Sequence, residues 1–126
     1  MAVSNAYLNE CANAMRTKVK YLGLVDDNGD EITGGGYERM PVTWTTAPAS
    51  GVGVLRPTDS IVFSVLGGGT VIGGWRGYSA KTGGTDYGGI DFPVAEQEEF
   101  KNDGEVRLVP EKTALKHEVK RFTAYL

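Results

Sequence analysis

The sequence predicts a mainly β protein: a β-sandwich or jelly-roll-like body with one short N-terminal α-helix and a C-terminal arm. Two observations predict this class. Short segments rich in β-branched and aromatic residues recur along the chain, separated by turn residues. Glycine accounts for 18 of the 126 residues, about twice its usual share, which indicates many turns and close backbone contacts. A chain of this length forms one domain, with a helix at 1–17, a body at 18–110 and an arm at 111–126.

The first element is an amphipathic helix from Ser4 to about Arg16. Ser4 is a suitable N-cap because its hydroxyl can accept a hydrogen bond from a free amide of the first turn. The apolar residues of this segment recur at the i, i+3, i+4, i+7 spacing of a single buried stripe: Leu8, Cys11, Ala12 and Met15.

The next segments predict a strand, a turn and a second strand. Residues 19–25 are mostly β-branched, aromatic or apolar and predict a strand buried on both faces at its C-terminal end. Asn28-Gly29 is a strong tight-turn signal. Residues 37–44 alternate, and Pro41 places this strand at an edge or a bulge. The face expected to point inward carries Glu38, Met40, Val42 and Trp44.

Further strands follow at short intervals along the glycine-rich middle and the end of the chain. The run 60–66 is apolar almost throughout, so we expect a central strand there. A short extended piece is expected at 53–55. The other predicted strands lie at 70–78, 85–92, 105–109 and 113–119.

Charge and cysteine content limit the classes of partner. The chain has 13 basic and 16 acidic residues and a formal charge of −3, without the basic patch that nucleic acid requires, so we expect no direct nucleic-acid binding. Its single cysteine excludes an intramolecular disulfide and suits folding in a reducing cytoplasm. Since the N-terminus lacks a basic region followed by an apolar run, we expect no signal peptide, and no segment predicts a membrane span.

Candidate catalytic groups are few. Cys11 lies on the apolar stripe of the predicted helix, where a thiol behaves as a small hydrophobe. His117 lies in a charged segment and is expected to be solvated. Glu96, Glu98 and Glu99 could serve glycoside hydrolysis as paired carboxylates, but a solvated loop or helical turn is the simpler interpretation. We therefore expect no catalytic residue and no enzymatic activity.

An acidic turn and several glycine runs raise the question of metal and phosphate binding. Asp26, Asn28 and Asp30 stand at positions one, three and five of a calcium loop. However, Glu31 occupies the glycine position and Tyr37 the position of the bidentate glutamate. The glycine runs contain neither a phosphate-binding loop motif nor a dinucleotide-binding motif. We expect no metal and no cofactor.

The residues most suggestive of function are aromatic and apolar. Large aromatic side chains supply contact area at low entropic cost, which suits protein interfaces and carbohydrate platforms; the alternative is that about half of them fill the core. In the arm, apolar residues recur at helical spacing among basic ones, which predicts docking on the protein's own domain or on a neighbour. The candidate interface residues are Tyr37, Trp44, Trp75, Tyr78, Tyr87, Leu115, Val119, Phe122, Tyr125 and Leu126.

One block of sequence carries a resemblance to a known family. The run 31–44, Glu-Ile-Thr-Gly-Gly-Gly-Tyr-Glu-Arg-Met-Pro-Val-Thr-Trp, follows a short helix and the motif Tyr-Leu-Gly-Leu at 21–24. It precedes Ile-Val-Phe at 61–63, Gly-Gly-Trp at 73–75 and Gly-Gly-Thr-Asp-Tyr-Gly-Gly at 83–89. This order resembles a family of small virion proteins of actinobacterial tailed phages, commonly labelled tail fibre proteins. The resemblance covers about residues 5–109, and the charged segments 96–101 and 111–126 depart from the family's glycine- and threonine-rich finish.

The resemblance implies a virion structural protein without catalytic residues. We expect a capsid decoration protein, made in the host cytoplasm, that binds and stabilises the particle lattice as a homo-oligomer, in contact with the major capsid protein or with tail proteins. Multivalent binding on a lattice gives affinity without a deep pocket. The alternative is a tail fibre or minor tail protein that contacts the host surface. A hydrolase or a calcium-dependent module is the third class considered.

Overall fold

The computed structural model describes residues 4–45, 54–110 and 115–116. The chain begins with helix α1, Asn5–Lys18, which is capped by Ser4 as predicted and ends two residues later than expected. The Ser4 hydroxyl accepts a hydrogen bond from the Tyr7 amide at 3.2 Å. Within the predicted apolar stripe only Ala12 is fully buried, while the other three residues are half-buried.

In the described part of the chain, ten short strands and one 3₁₀ turn follow, so the predicted mainly β class is confirmed. Val94–Glu96 forms the 3₁₀ turn. The strands are β1 (Tyr21–Val25), β2 (Met40–Pro41), β3 (Val54–Leu55), β4 (Ile61–Val65), β5 (Thr70–Ile72), β6 (Gly74–Tyr78), β7 (Asp86–Asp91), β8 (Glu98–Phe100), β9 (Gly104–Leu108) and β10 (Leu115–Lys116).

All strand pairs between these ten strands are antiparallel, and the largest sheet has the order β2-β1-β6-β7. β1 and β6 are paired along their whole length, from Tyr21 opposite Tyr78 to Val25 opposite Gly74. The remaining pairs form two-stranded sheets, β4 with β9, β5 with β8 and β3 with β10. β7 therefore lies at one edge of the four-stranded sheet and β2 at the other.

One hydrophobic core joins these layers. Leu22, Leu24 and Trp75 come from the four-stranded sheet, and Phe63 and Val65 come from β4. Because residues paired across a sheet share a face, Leu24 opposite Trp75 sets the inward face of β1 and β6. Side chains from the four-stranded sheet and from β4 thus share one core.

The segment 37–44 is strand only at β2, contrary to the longer strand predicted there. Tyr37 and Arg39 turn their side chains into a polar cluster instead of continuing a ladder. The edge position expected for Pro41 is confirmed. The predicted inward face holds for Met40, Val42 and Trp44, which belong to the core or pack against it, whereas Glu38 is exposed.

Two other predictions have a different or partial outcome, and one strand was not predicted. The strand expected at 60–66 exists as β4, but it pairs with β9 in a two-stranded sheet and alternates between buried and accessible positions, so its central placement is wrong. Strand β8 was not predicted, because its acidic residues favour a solvated turn. Of the strand expected at 113–119, Leu115–Lys116 is confirmed and the other residues lie outside the described parts of the chain.

Candidate interaction surface

Three of the predicted interface aromatics belong to the core. Trp44, Trp75 and Tyr78 are 4%, 2% and 5% exposed, so the interface prediction is corrected for these residues. The indole N–H of Trp44 donates to the Val19 carbonyl at 2.7 Å, which satisfies both groups inside the protein. The alternative prediction, that aromatic side chains of the middle segment fill the core, applies to them.

Tyr37 is half-buried and closes a gap at the edge of β1. Its hydroxyl accepts a hydrogen bond from the Leu24 amide at 2.9 Å and donates one to Glu31 Oε2 at 2.7 Å. Its ring stacks on Phe63 with the centroids 6.1 Å apart. The segment that follows β1 in the sequence pairs with it at Val25–Glu31 and again at β2. Between these two places the Tyr37 hydroxyl replaces a backbone carbonyl as the acceptor of the Leu24 amide.

Arg39 completes a polar cluster with Glu31, Tyr37 and Tyr78. Its guanidinium binds both oxygens of Glu31, each at 2.9 Å, and Nη1 donates to the carbonyls of Ala80 and Gly83 at 3.0 and 2.7 Å. The guanidinium carbon lies 3.5 Å from the centroid of the Tyr78 ring, a cation–π distance. Through these four hydrogen bonds and one ring contact, the Arg39 side chain connects the 80–83 loop to the 31–39 segment.

Glycines make room for this cluster. Gly34, Gly35 and Gly36 have φ values of 83°, 65° and 82°, a left-handed conformation that side chains disfavour, and they return the chain from Glu31 to Tyr37. Gly23 lies beneath the cluster, and a Cβ there would lie 2.7 Å from the Tyr37 hydroxyl and 2.8 Å from the Tyr78 ring.

The electrostatics of the cluster favour one protonation state. Burial, followed by the hydrogen bond to Glu31, raises the pKa of Tyr37 far above its ordinary value. The hydrogen bond to Glu31 raises the pKa of Arg39, and burial raises that of Tyr78. Tyr37 and Tyr78 are therefore neutral, Arg39 is charged, and each is bound to a partner within the cluster. This arrangement stabilises the fold.

A shallow depression of about 390 Å³ borders the cluster. Its rim carries the ion pair between Lys81 and Glu38, 3.0 Å apart, and both side chains are 55% exposed. Such an exposed pair contributes little to stability because water screens it. The buried wall of the depression consists of the cluster residues, whose polar groups are already bound to one another.

The larger concave surface is an apolar groove of about 760 Å³ at the β7 edge, a volume typical of binding clefts. One wall is β7 and the segment after it, and the other is the end of β9. The floor includes Trp75, which is paired with Ile90 across β6 and β7. The lining residues are Trp75, Ile90, Asp91, Phe92, Pro93, Glu96, Arg107, Leu108 and Val109.

Exposed apolar residues cluster at this edge. Ile90 is 46% exposed and lines the groove, and Val94, at the start of the 3₁₀ turn, is 84% exposed. Tyr87 of β7, one of the predicted interface residues, is 44% exposed. Among the described residues, β7 pairs only with β6. An edge strand flanked by accessible apolar side chains is a surface that other chains can cover.

The groove is shaped by polar contacts at its margins. Arg76 binds Asp91 at 2.6 Å and the Ile90 carbonyl at 3.3 Å, which holds the end of β7 against β6. The side-chain amide of Gln97 donates to the Phe92 carbonyl at 3.2 Å and positions the 3₁₀ turn. Sequence reasoning missed Ile90 and Val94. For Val94 there was a signal, because this apolar residue lies two positions before the polar run 96–99.

The other predicted interface residues lie in the arm. Leu115 belongs to β10, whereas Val119, Phe122, Tyr125 and Leu126 lie outside the described residues. His117 also lies outside them.

The candidate metal-binding and catalytic residues of the sequence occupy turn, helix and surface positions. Oδ1 of Asp26 accepts the amides of Asn28 and Asp30, so this carboxylate caps its own turn. In residues 4–45, 54–110 and 115–116 there is no cluster of three or more side chains suited to holding a metal ion. Cys11 is half-buried. Glu96, Glu98 and Glu99 are exposed, at the end of the 3₁₀ turn and on β8.

Comparisons with protein-family models, curated proteins and solved structures find no match to this chain. Within the described ranges, no helix combines the length and the apolar character needed to cross a membrane.

Proposed function

We propose that this protein is a bacteriophage virion structural protein that decorates the capsid and acts by binding. The observation that carries the binding role is the groove at the β7 edge, where Ile90 is exposed beside the buried Trp75. Val94, next to the lining residue Pro93, is a further exposed apolar side chain. Accessible apolar groups around a concave surface gain free energy when a partner removes them from water. The mechanism is burial of this surface against another protein.

The contacts of the polar cluster support a structural role for its charged and hydroxyl side chains. Both carboxylate oxygens of Glu31 accept from Arg39, and one also accepts from Tyr37. Groups used in this way stabilise the fold rather than a reacting substrate. Glu31, Tyr37 and Arg39 are also the side chains of the block that carries the resemblance to phage virion proteins, so that block has a structural explanation in this fold.

Location on the particle is the first test. Purified particles of the encoding phage are labelled with an antibody against this protein and viewed by electron microscopy. Label over the capsid surface supports decoration. Label confined to the tail replaces decoration by the tail fibre or minor tail alternative, and particles that lack the protein contradict both.

The role of the groove is tested by incorporation into particles. Ile90→Asp places a charge in the groove, which the 46% exposed Ile90 lines, and is expected to lower incorporation roughly tenfold, because each lost 1.4 kcal/mol of binding free energy is a factor of ten. Leu66→Asp is the matched control, since Leu66 is also exposed, at 41%, but does not line the groove. Equal incorporation of the two variants contradicts the assignment of the groove.

A further inference from the structure

The groove at the β7 edge carries one charge of each sign that has no partner among the described residues. Glu96 lies on the wall that follows β7, and Arg107 lies on the opposite wall, at the end of β9. Both side chains are exposed, and within the described ranges neither forms an ion pair or a hydrogen bond. Asp91, the other charged residue of the lining, already binds Arg76. The groove therefore offers one cation and one anion to a partner.

An exposed apolar side chain stands beside the groove. Val94 lies between the lining residues Pro93 and Glu96 in the sequence, is 84% exposed and does not itself line the groove. The Glu96 amide donates to the Pro93 carbonyl at 2.8 Å, which closes the 3₁₀ turn around Val94. Burial of so exposed an apolar side chain is favourable. The same part of the surface thus combines an apolar projection with an apolar groove.

These features complement one another under a two-fold rotation. In a symmetric dimer every contact between two residues forms twice, once from each copy. When Val94 of one copy enters the groove of the other, it meets the accessible side chain of Ile90. Glu96, two residues after Val94, is then on the side of the second copy that carries Arg107. The reciprocal contacts form at the same time, so both unpaired charges of each copy gain a partner of opposite sign.

We propose that the groove binds a second copy of this chain in a two-fold symmetric dimer. Val94 of each copy packs against Ile90 of the other, and Glu96 pairs with Arg107 across the interface. The formal charge of −3 per chain is small, so repulsion between the copies is weak. This inference rests on the proposed function in taking the groove as a protein-binding surface, and it deepens that proposal by naming the partner.

Sedimentation velocity of the purified full chain tests for the dimer. The unchanged protein is expected to pass from monomer to dimer between about 1 µM and about 1 mM, the concentration range in which small specific interfaces associate. A protein that stays monomeric over this whole range overturns the proposal.

Charge-reversed variants identify the contact. Glu96→Arg and Arg107→Glu each place like charges at both symmetric contacts, and each is expected to weaken dimerisation at least roughly tenfold. An equimolar mixture of the two variants has opposite charges at both contacts of the mixed dimer, so it is expected to recover most of the lost affinity. An ion pair within one copy cannot give this recovery, because neither variant chain contains opposite charges at the two positions.

Two further variants are matched controls. Glu98→Arg makes the same change of charge at an exposed residue of β8 that does not line the groove, and it is expected to leave dimerisation unchanged. Val94→Asp is expected to weaken the dimer roughly tenfold, whereas Val94→Leu, which keeps an apolar side chain, is expected to retain it. Circular dichroism checks that each variant is folded. A mixture that stays monomeric, or an equal loss of affinity in Glu98→Arg, overturns the proposed interface.

Failure of the dimer and failure of the proposed function give different results. The sedimentation measurements use purified protein, whereas the proposed function is tested on particles. If the protein is monomeric but Ile90→Asp still lowers incorporation, the groove binds a different virion protein and the proposed function stands. If the dimer forms but the particles lack the protein, the virion role is contradicted and the interface stands.

Discussion

Arg39 and Glu31 form a bidentate ion pair in which Nε and Nη2 of Arg39 each donate to a different carboxylate oxygen at 2.9 Å. The Arg39 side chain is only 12% exposed, and its remaining donor reaches two carbonyls of the 80–83 loop. The fork geometry of guanidinium allows all of these contacts at once, which an ammonium group cannot reproduce. The pair therefore joins two loops that the sheet itself does not connect.

Arg39→Ala is expected to lower the free energy of unfolding by about 2–4 kcal/mol, because it leaves the Glu31 carboxylate without its main partner in a half-buried site. Lys81→Ala is the matched control. It breaks the exposed ion pair with Glu38 in the same region and is expected to cost less than about 1 kcal/mol. Urea unfolding followed by circular dichroism measures both. Similar losses for the two variants would mean that Arg39 contributes no more than a surface charge.

Gly23→Ala is expected to destabilise the protein by about 1–3 kcal/mol, because the added methyl group must displace Tyr37 and Tyr78 in a packed site. Gly68→Ala separates packing from backbone strain. Gly68 has a φ of 85° and open space around it, so its substitution carries only the left-handed backbone cost of about 1 kcal/mol. Thermal unfolding should place Gly23→Ala below Gly68→Ala, and the reverse order would refute the steric account.

Stability is expected to fall with increasing pH above about pH 10. The pKa of Tyr37 is raised in the folded protein, so above its unfolded value the unfolded chain has lost the proton that the folded chain retains. Unfolding then releases a proton, and the free energy of unfolding decreases by up to about 1.4 kcal/mol per pH unit for this group. Tyr78, whose pKa is also raised, adds to the same slope.

Tyr37→Phe tests the origin of this alkaline loss. The variant is less stable at neutral pH, by about 1–3 kcal/mol, because the Leu24 amide loses its acceptor. Its stability should nevertheless decline less steeply between pH 10 and 11 than that of the unchanged protein. Urea titrations at pH 8, 10 and 11 give the slopes, and parallel curves would show that Tyr37 is not responsible.

The loss of stability on substituting an aromatic residue is expected to depend on the burial of its ring rather than on the residue type. Trp75→Ala removes a buried ring and is expected to cost about 3–5 kcal/mol. Trp44→Phe loses the bond to the Val19 carbonyl and should cost about 1–3 kcal/mol. Tyr87→Ala should stay within about 0.5 kcal/mol, since Tyr87 is exposed at the sheet edge. A large loss for Tyr87→Ala in chemical denaturation would place that ring in the core.

Local patterns were sufficient for the helix and most strands. The spacing of Leu8, Cys11 and Ala12 and the cap at Ser4 depend on contacts within a few residues, and alternation in β1 reflects the pleat of a single strand. These signals are local, so they can be read from the sequence without information on tertiary packing. Asn28-Gly29 likewise determined its own turn, with Gly29 at a φ of 86°.

Tertiary structure decided the roles of the side chains that meet across long sequence separations. Tyr37 and Tyr78 were both candidates for an interface by composition alone, but a ring's exposure depends on which strands cover it. Arg39 lies 8 residues from Glu31 and 41 and 44 residues from the carbonyls it binds, and no spacing rule connects such positions. In the same way, Ile90 became part of a groove only because β7 lies at the sheet edge beside the end of β9. The sequence determined the elements, and long-range packing determined which of their faces are left for a partner.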